Sequence, residues 1–438
     1  MTTMAQLATA MQATLLYFPN TIARSSGFTQ RRSKCTAALF VQTLVFGWLA
    51  HPQATLENLT QTAAARGLRI SPQGLEERFA AAGAPLLQHV LAQAVSHIVT
   101  ADPVVVPLLR RFTAVYVLDS TTVSLPDALA EQWAGCGGSG SLAALKLQVR
   151  LDLCAGRLDG PELQPGRAHD SSAALQTALV PVGALRLADL GYFTLGVFAT
   201  IAAGGGYWFS RLNGGTNVYR ANGQSWDLTA WLAQQEDATG EYAIQLGAKD
   251  RLPCRLLIAP VPAEVAAERR RRLRAEATKR GQTPSAEQLA RADWTLYVTN
   301  VPGTLLSWQE ALVVGHARWQ IELLFKHWKS QGHLDDWRST QPWRILGEVY
   351  AKLIGLVLQH WLFVLGCWGA AARSRVKAGQ TIQQHALLLA LTLEMRHQLQ
   401  SALRILAACL AGGGRLNTRR TKPNTYQYLL DPSLLALA

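Results

Sequence analysis

The chain is poor in cysteine, and its cysteines are not spaced for chemistry. Cys35, Cys136, Cys154, Cys254, Cys367 and Cys409 are scattered over 438 residues without CxxC or CxxxH spacing. Neither a zinc site nor a disulfide framework is expected, and a reducing cytosol is the expected setting. A basic stretch followed by a long apolar core is missing from the N-terminus, so no signal peptide is expected. No internal repeat stands out. The glycine-rich GCGGSGS at 135–141 has no GK[ST] after it and opens no helix; it reads as a flexible hairpin, not a phosphate loop. Long apolar runs are missing too, with one exception. Residues 353–372 approach the roughly 20 residues that cross a bilayer, but Gln359 and His360 interrupt them and no second span accompanies them. A buried helix is expected there, and no membrane partner.

What the chain has in excess is positive charge. Lys plus Arg number 42 against 29 Asp plus Glu, 42 − 29 = +13, with a pI near 9.7, so the molecule attracts polyanions. The excess is gathered into runs: SSGFTQRRSK at 25–34, ERRRRLRAEATKR at 268–280 with Arg270 and Arg271, and RLNTRRTKPNTY at 415–426 with Arg419 and Arg420. Any one run can be a solvated helix face or a tail; three together favour double-stranded DNA as the partner. At 55–79 the sequence reads as a helix from Leu56, a break at Gly67, and a second helix capped by Ser71 with Pro72 at its first position. As a helix-turn-helix it would set Gln73, Glu77 and Arg78 in a major groove; an ordinary helical hairpin is the favoured reading.

Three acidic residues carry the chemistry. Asp119 in AVYVLDSTTV and Asp189 in LRLADLGYF end short apolar runs that read as buried strands, while Glu322 in HARWQIELLFKHWK lies on a long amphipathic segment that reads as a helix. Carboxylates at the ends of core strands are costly unless something cationic meets them. Two divalent ions roughly 4 Å apart would do so, and would activate a water or hydroxyl against a phosphodiester. Arg318, Glu322 and Lys329 stand at offsets 322 − 318 = 4 and 329 − 318 = 11, within roughly 40° of one helix face. An ordinary i, i+4 ion pair, contributing roughly a few tenths of a kcal/mol, uses the same spacing. Trp319, Ile321, Leu324 and Phe325 form the apolar stripe expected to pack this helix on a sheet.

In these motifs the chain resembles a DDE transposase of the insertion sequence 4 family, over roughly residues 113–337. That family's Glu helix carries Tyr, two residues, Arg, three residues, Glu, six residues, Lys. RWQIELLFKHWK supplies Arg318, Glu322 and Lys329, while Gly315 stands where the Tyr is expected; LDSTT resembles the first Asp segment and ADLGYF the second. The resemblance implies a metal-dependent enzyme with Asp119, Asp189 and Glu322 as catalytic residues and as ligands of two Mg²⁺ ions, for which Mn²⁺ can substitute. It implies endonuclease cutting at the ends of an insertion sequence and joining of the freed 3′ hydroxyls to target DNA. Arg318 and Lys329 would hold phosphate near the scissile bond, and a homodimer would pair two transposon ends in a synaptic complex on the bacterial nucleoid, in the cytoplasm. Trp294, 322 − 294 = 28 residues before Glu322, matches the Trp that stacks on a flipped base in hairpin-forming members; a core anchor is the other reading. Tyr restored at position 315 is expected not to reduce activity. His169 and Asp170 in GRAHDSS are either extra ligands or a hydrogen-bonded turn. The rival class is a catalytically silent, transposase-derived DNA-binding regulator, against which the intact acidic triad argues.

The expected fold is α/β, an RNase H-like mixed sheet with flanking helices. TAVYVLD, AALKLQVRLDLCAG and RLDGPELQPG give three strands, and a helix at about 172–179 leads to the strand ALRLADL. That order puts Asp119 and Asp189 on neighbouring central strands. Residues 1–107 are expected to be a helical DNA-binding region, 108–212 the first part of the catalytic core, and 213–293 a strand-rich insertion. Residues 294–345 resume the core with the Glu helix, and 346–438 form a helical C-terminal region with a basic tail.

Overall fold

The computed structural model describes residues 1–31, 33–138, 140–235, 239–416 and 423–437. Two compact units interleave along the chain. The first comprises Met1–Val106, Asp119–Ala168 and Trp319–Tyr426, the second Pro107–Leu118, His169–Arg318 and Gln427–Ala438.

The first unit is built on the helix Pro342–Cys367, 26 residues with Pro342 in its first turn. A helix apolar on all sides belongs in a core or in lipid. Its most apolar window is 89 % buried, and the helices Ala37–Ala50, Gly83–Ser96 and Arg396–Gly413 pack against it. The polar residues on it are buried and matched. Lys352 meets Glu348 at 2.8 Å and donates to the His333 and Asp336 carbonyls at 2.8 and 2.7 Å. Gln359 meets His327 at 2.9 Å and His360 meets the Gly156 carbonyl at 2.7 Å. Such pairing makes buried charge tolerable, and the apolar run is a core helix, as its interruption by Gln359 and His360 suggests.

The helical hairpin near the N-terminus follows its sequence signals. The helix Leu56–Ala65 ends before Gly67 at φ +78°, and Ser71 accepts from the Gly74 amide to cap Pro72–Glu76. That second helix has only five residues before a 3-10 turn at Glu77–Phe79, too short for a recognition helix.

Nine strands are described: β1 (Val115–Leu125), β2 (Ala143–Asp152), β3 (Leu158–Pro165), β4 (Leu185–Ala188), β5 (Tyr207–Arg211), β6 (Val218–Arg220), β7 (Gly240–Leu246), β8 (Leu252–Pro260) and β9 (Trp294–Thr299). In the first unit β2 and β3 form an antiparallel hairpin. The glycine-rich stretch before β2 is a turn closed by the bridge Ala134↔Ala143, with Gly137 and Gly138 at φ +65° and +62°; Ser139 lies outside the described residues. In the second unit the order runs β1-β4-β5-β9-β8-β7-β6, parallel from β1 to β5 and antiparallel beyond. This mixed sheet with flanking helices is consistent with an RNase H-like core. The strands at 213–293 extend that same sheet, since β8 pairs with β9 from Arg255↔Thr299 to Pro260↔Trp294.

One expected helix is absent from its place. Residues 172–177 fall in two 3-10 turns, Asp170–Ser172 and Ala174–Thr177, separated by Ala173 at ψ 140°, and 178–179 are in no helix. An extended residue there breaks the hydrogen-bond ladder that a helix needs.

Strand alternation sorts the second unit's side chains to two faces. Tyr116, Leu118, Ala188, Trp208, Leu296 and Val298 join one apolar core, where Phe198 stacks on Trp208 with ring centroids 4.4 Å apart. Trp294 is in this core and only 7 % exposed. Its role as a base-stacking DNA contact is therefore corrected: the indole is a core anchor, because a flipped base has no open face of it to meet. The residues between these, including Phe209, Arg211 and Tyr297, turn to the opposite face.

Candidate active site

The second unit supplies Asp189 and Arg318. Asp189 directly follows β4 and caps the 3-10 turn Leu190–Tyr192 in an extended conformation, φ −76° and ψ 170°. Its side chain is partly exposed, and Arg318 Nε stands 4.0 Å from its Oδ1. The glycine of ADLGYF is needed where it stands, since a Cβ on Gly191 would lie 2.6 Å from Asp170 Oδ2. Asp170 itself belongs to the turn in which Ser172 Oγ donates to the His169 carbonyl at 2.7 Å, the turn reading of GRAHDSS.

Arg318 is held by its helix. Ser307 and Glu310 form a capping box at the start of Trp308–Ala317, and Arg111 grips Glu310 at 2.6 Å. The Arg111 guanidinium holds the Glu310 carboxyl down at about 2, so this clamp stays charged through the neutral range. At the other end the helix stops: Arg318 is the joint, and a second helix runs Trp319–Ser330. The single long Glu helix expected from the sequence is therefore two helices, with Arg318 in the second unit and Glu322 in the first.

The first unit supplies Asp119, Glu322 and Lys329. Asp119 is half-buried on β1, with Oδ1 accepting the Ser120 amide at 2.8 Å. Glu322 is half-buried on Trp319–Ser330. Ile321, Leu324, Phe325 and Trp328 form that helix's buried stripe, but Trp319 is 53 % exposed, so it does not pack as its spacing implied. Lys329 Nζ donates to the Thr122 carbonyl at 2.8 Å, which fastens the helix to the strand that carries Asp119. Among the described residues no group of three or more His, Cys, Asp or Glu side chains gathers as a cage for a metal ion. The donors are carboxylates, the oxygen type that hard divalent cations take, but their grouping around an ion is not seen.

The basic helix Ala263–Lys279 is less free than its sequence suggests. Arg269 donates to the Trp294 carbonyl at 3.0 Å, Arg270 pairs with Asp293, and Arg271 and Arg272 both reach Glu268, at 2.7 and 2.8 Å. Arg270 is thereby tied to the loop before β9, whereas Arg271 remains largely exposed. Arg419 and Arg420 lie outside the described residues.

Two residues that the sequence did not single out stand beside Asp189. Arg211 and Tyr297 are register partners on β5 and β9, and both line a small pocket with Asp189, Gly315 and Arg318. A Cβ on Gly315 would lie 2.6 Å from both Cζ and the hydroxyl oxygen of Tyr297. The harmless restoration of Tyr at 315 is thus overturned, because Tyr297 already fills that room. Gly315→Tyr is expected to destabilise the fold by about 1–3 kcal/mol, the usual range for overpacking. A urea melt measures this; an unchanged midpoint would show that Tyr297 swings aside without cost.

Comparison with known proteins gives a consistent picture. A family profile described as "Transposase DDE domain" matches residues 110–358, more than half of the chain. The chain is 26 % identical to the transposase for insertion sequence element IS231F of Bacillus thuringiensis subsp. israelensis, over 94 % of this chain and 92 % of that one. It is 24 % identical to the transposase for IS1151 of Clostridium perfringens, over 77 % of this chain and 76 % of that one. Over a shorter span, 32 % of this chain and 39 % of the other, it is 30 % identical to the putative transposase InsL for IS186A of Escherichia coli (strain K12).

Proposed function

The chain belongs to the DDE transposase-domain family, and from that premise we propose that it is an insertion-sequence transposase that cuts DNA at the element's ends and joins the freed 3′ hydroxyls to target DNA. The family is one of DNA-acting enzymes and implies dependence on a divalent metal. The observation that carries the reading is a register: β1 and β4 pair in parallel up to Leu118↔Ala188, and the residue that follows each of these two is an aspartate, Asp119 and Asp189.

The residues divide the work. Asp119, Asp189 and Glu322 are the catalytic carboxylates and the ligands proposed for two Mg²⁺ ions, with Mn²⁺ as substitute. When bound, such ions would activate the attacking water or hydroxyl and offset charge on the leaving oxygen. Glu322 stands seven residues before Lys329, about 10 Å along a helix; Asp119 stands three before Thr122, about 10 Å along a strand. With Lys329 bound to Thr122, those matched offsets support Glu322 beside Asp119 when helix and strand run in the same sense. Arg318 and Lys329 orient the scissile phosphate. A homodimer pairing two transposon ends follows from the family resemblance, as does action on the bacterial nucleoid, and Arg271, Arg419 and Arg420 are assigned to DNA backbone contact.

The direct test uses the DNA on either side of the coding sequence. Terminal inverted repeats there, nicked by the purified protein in Mg²⁺ and left intact with a chelator, are the expected result; metal-independent or absent cutting sinks the reading. The phosphate roles have a separate signature. Arg318→Ala and Lys329→Ala should each lower the slope of log affinity against log salt by about one. Lys329→Ala should also lose about 1 kcal/mol of stability with its bond to Thr122. An unchanged slope in both variants would leave these residues with structural work only.

A further inference from the structure

The helix Trp319–Ser330 that carries Glu322 is tied by polar bonds on two sides. Lys329 Nζ donates to the Thr122 carbonyl at 2.8 Å, and His327, 7 % exposed, meets Gln359 of the core helix Pro342–Cys367 at 2.9 Å. At about 100° per residue these two ties stand roughly 160° apart around the axis, while Glu322 lies within about 20° of Lys329. One tie is therefore on the Glu322 side and the other on the opposite, buried side. Gln359 Nε2 donates to the Gly379 carbonyl at 3.4 Å, which turns its Oε1 to the imidazole, so that His327 Nε2 is the donor. Burial pushes the imidazole pKa down, and the pair is a hydrogen bond between neutral groups. His327 Nδ1 has no hydrogen-bond partner among the described residues, a cost that a leucine would not carry. Leu324, Leu356, Phe363 and Ile382 line the small cavity around the ring, so an apolar side chain would suit the place. The helix Arg375–Thr392 leaves room for the ring with a glycine, since a Cβ on Gly379 would lie 2.7 Å from His327 Cε1. A polar side chain kept at a cost in stability, in a slot fitted to it, fixes register: apolar contacts tolerate a helix that slides or turns, whereas one donor aimed at one acceptor does not.

We infer that His327, through its bond to Gln359, is a positioning residue for Glu322. With Lys329 on the other side it fixes the rotation and the height of the helix, and with them the direction in which the Glu322 carboxylate is presented. The inference rests on the metal-ligand role proposed for Glu322, and it adds a buried pair on the far side of the helix, remote from DNA.

The test replaces both partners, because His327→Leu alone strands Gln359 and should lower the melting temperature. In the double variant His327→Leu, Gln359→Leu the melting curve should match that of the wild type. Its affinity for Mn²⁺, read by titration calorimetry, should fall about 10- to 100-fold, the usual loss when a group that orients a metal ligand is removed. The Mg²⁺ concentration that half-saturates cutting should rise by a similar factor, with DNA affinity and its salt slope unchanged. His327→Gln, which keeps a donor toward Gln359, should recover most of the Mn²⁺ affinity. Wild-type Mn²⁺ affinity in the double variant overturns the inference, as does a lower melting temperature that accounts for the loss, or a His327→Gln variant no better than the double one. Failure of the underlying reading is separate: wild-type protein that binds Mn²⁺ but never cuts DNA sinks the transposase assignment, while the Mn²⁺ affinities of the variants still decide the positioning role. Wild-type protein that takes up no Mn²⁺, alone or with a repeat duplex, overturns the inference outright.

Discussion

Asp119→Ala, Asp189→Ala and Glu322→Ala should each abolish DNA cutting while leaving end binding largely intact. The expected loss follows from what the carboxylates are proposed to do. If each sustains several kcal/mol of charge stabilisation in the transition state, removing one costs about a thousandfold in rate or more. Affinity depends on other groups. Lys and Arg contacts to phosphate, with release of counterions, supply most of the binding free energy, and removing a negative side chain from a DNA-facing site takes away repulsion. Cleavage of end DNA in Mg²⁺, read beside a gel shift on the same proteins, separates the two effects. Near-normal cutting by any one variant removes that residue from the triad. Loss of cutting together with loss of binding would assign it to folding or DNA contact.

The strand before Asp189 was legible as it stands, LRLA, whereas the strand of Asp119 was legible only in its first half, since β1 does not end at Asp119 but runs on through it to Leu125. Apolar runs such as AVYVL and LRLA, each ending at a carboxylate, announce themselves without knowledge of the partner strand, and the parallel pairing of β1 with β4 follows from the order of elements. The basic runs were legible as composition but not as surface. Nothing local says that Arg270 meets Asp293 or that Arg269 reaches the Trp294 carbonyl, since both partners arrive from beyond the helix. The break at Arg318 was hidden for a similar reason. WQEALVVGHA and WQIELLFKHWKS each carry helical periodicity, and Arg318 itself keeps helical angles, φ −54° and ψ −32°. Periodicity reports the face that packs, and here the two segments pack in different units. Most hidden was the relation of Gly315 to Tyr297. Within the motif, position 315 looks like a lost side chain; in the fold, a side chain from another strand fills its space.

Trp294→Ala should be among the most destabilising single changes in the second unit, and its effect should fall on every activity together. The indole is 7 % exposed within the core that also holds Trp208, Leu296 and Val298, at the first position of β9, where Pro260 is its register partner. Trp to Ala in a packed core costs about 3–5 kcal/mol through lost burial and the cavity left behind. Against a total stability of roughly 5–15 kcal/mol, that is enough to bring a domain near its unfolding threshold. A stacking residue would behave otherwise: loss of one stacked base costs about 1–3 kcal/mol of binding, spares the melting curve, and slows only the step in which the base is flipped. Time courses of first-strand nicking and of later products, read beside a urea melt, distinguish the cases. Equal slowing of all steps with a lower midpoint supports the core anchor, and Trp294→Phe, which keeps most of the buried area, should recover much of both. Full stability with one step selectively slowed would return the residue to the DNA.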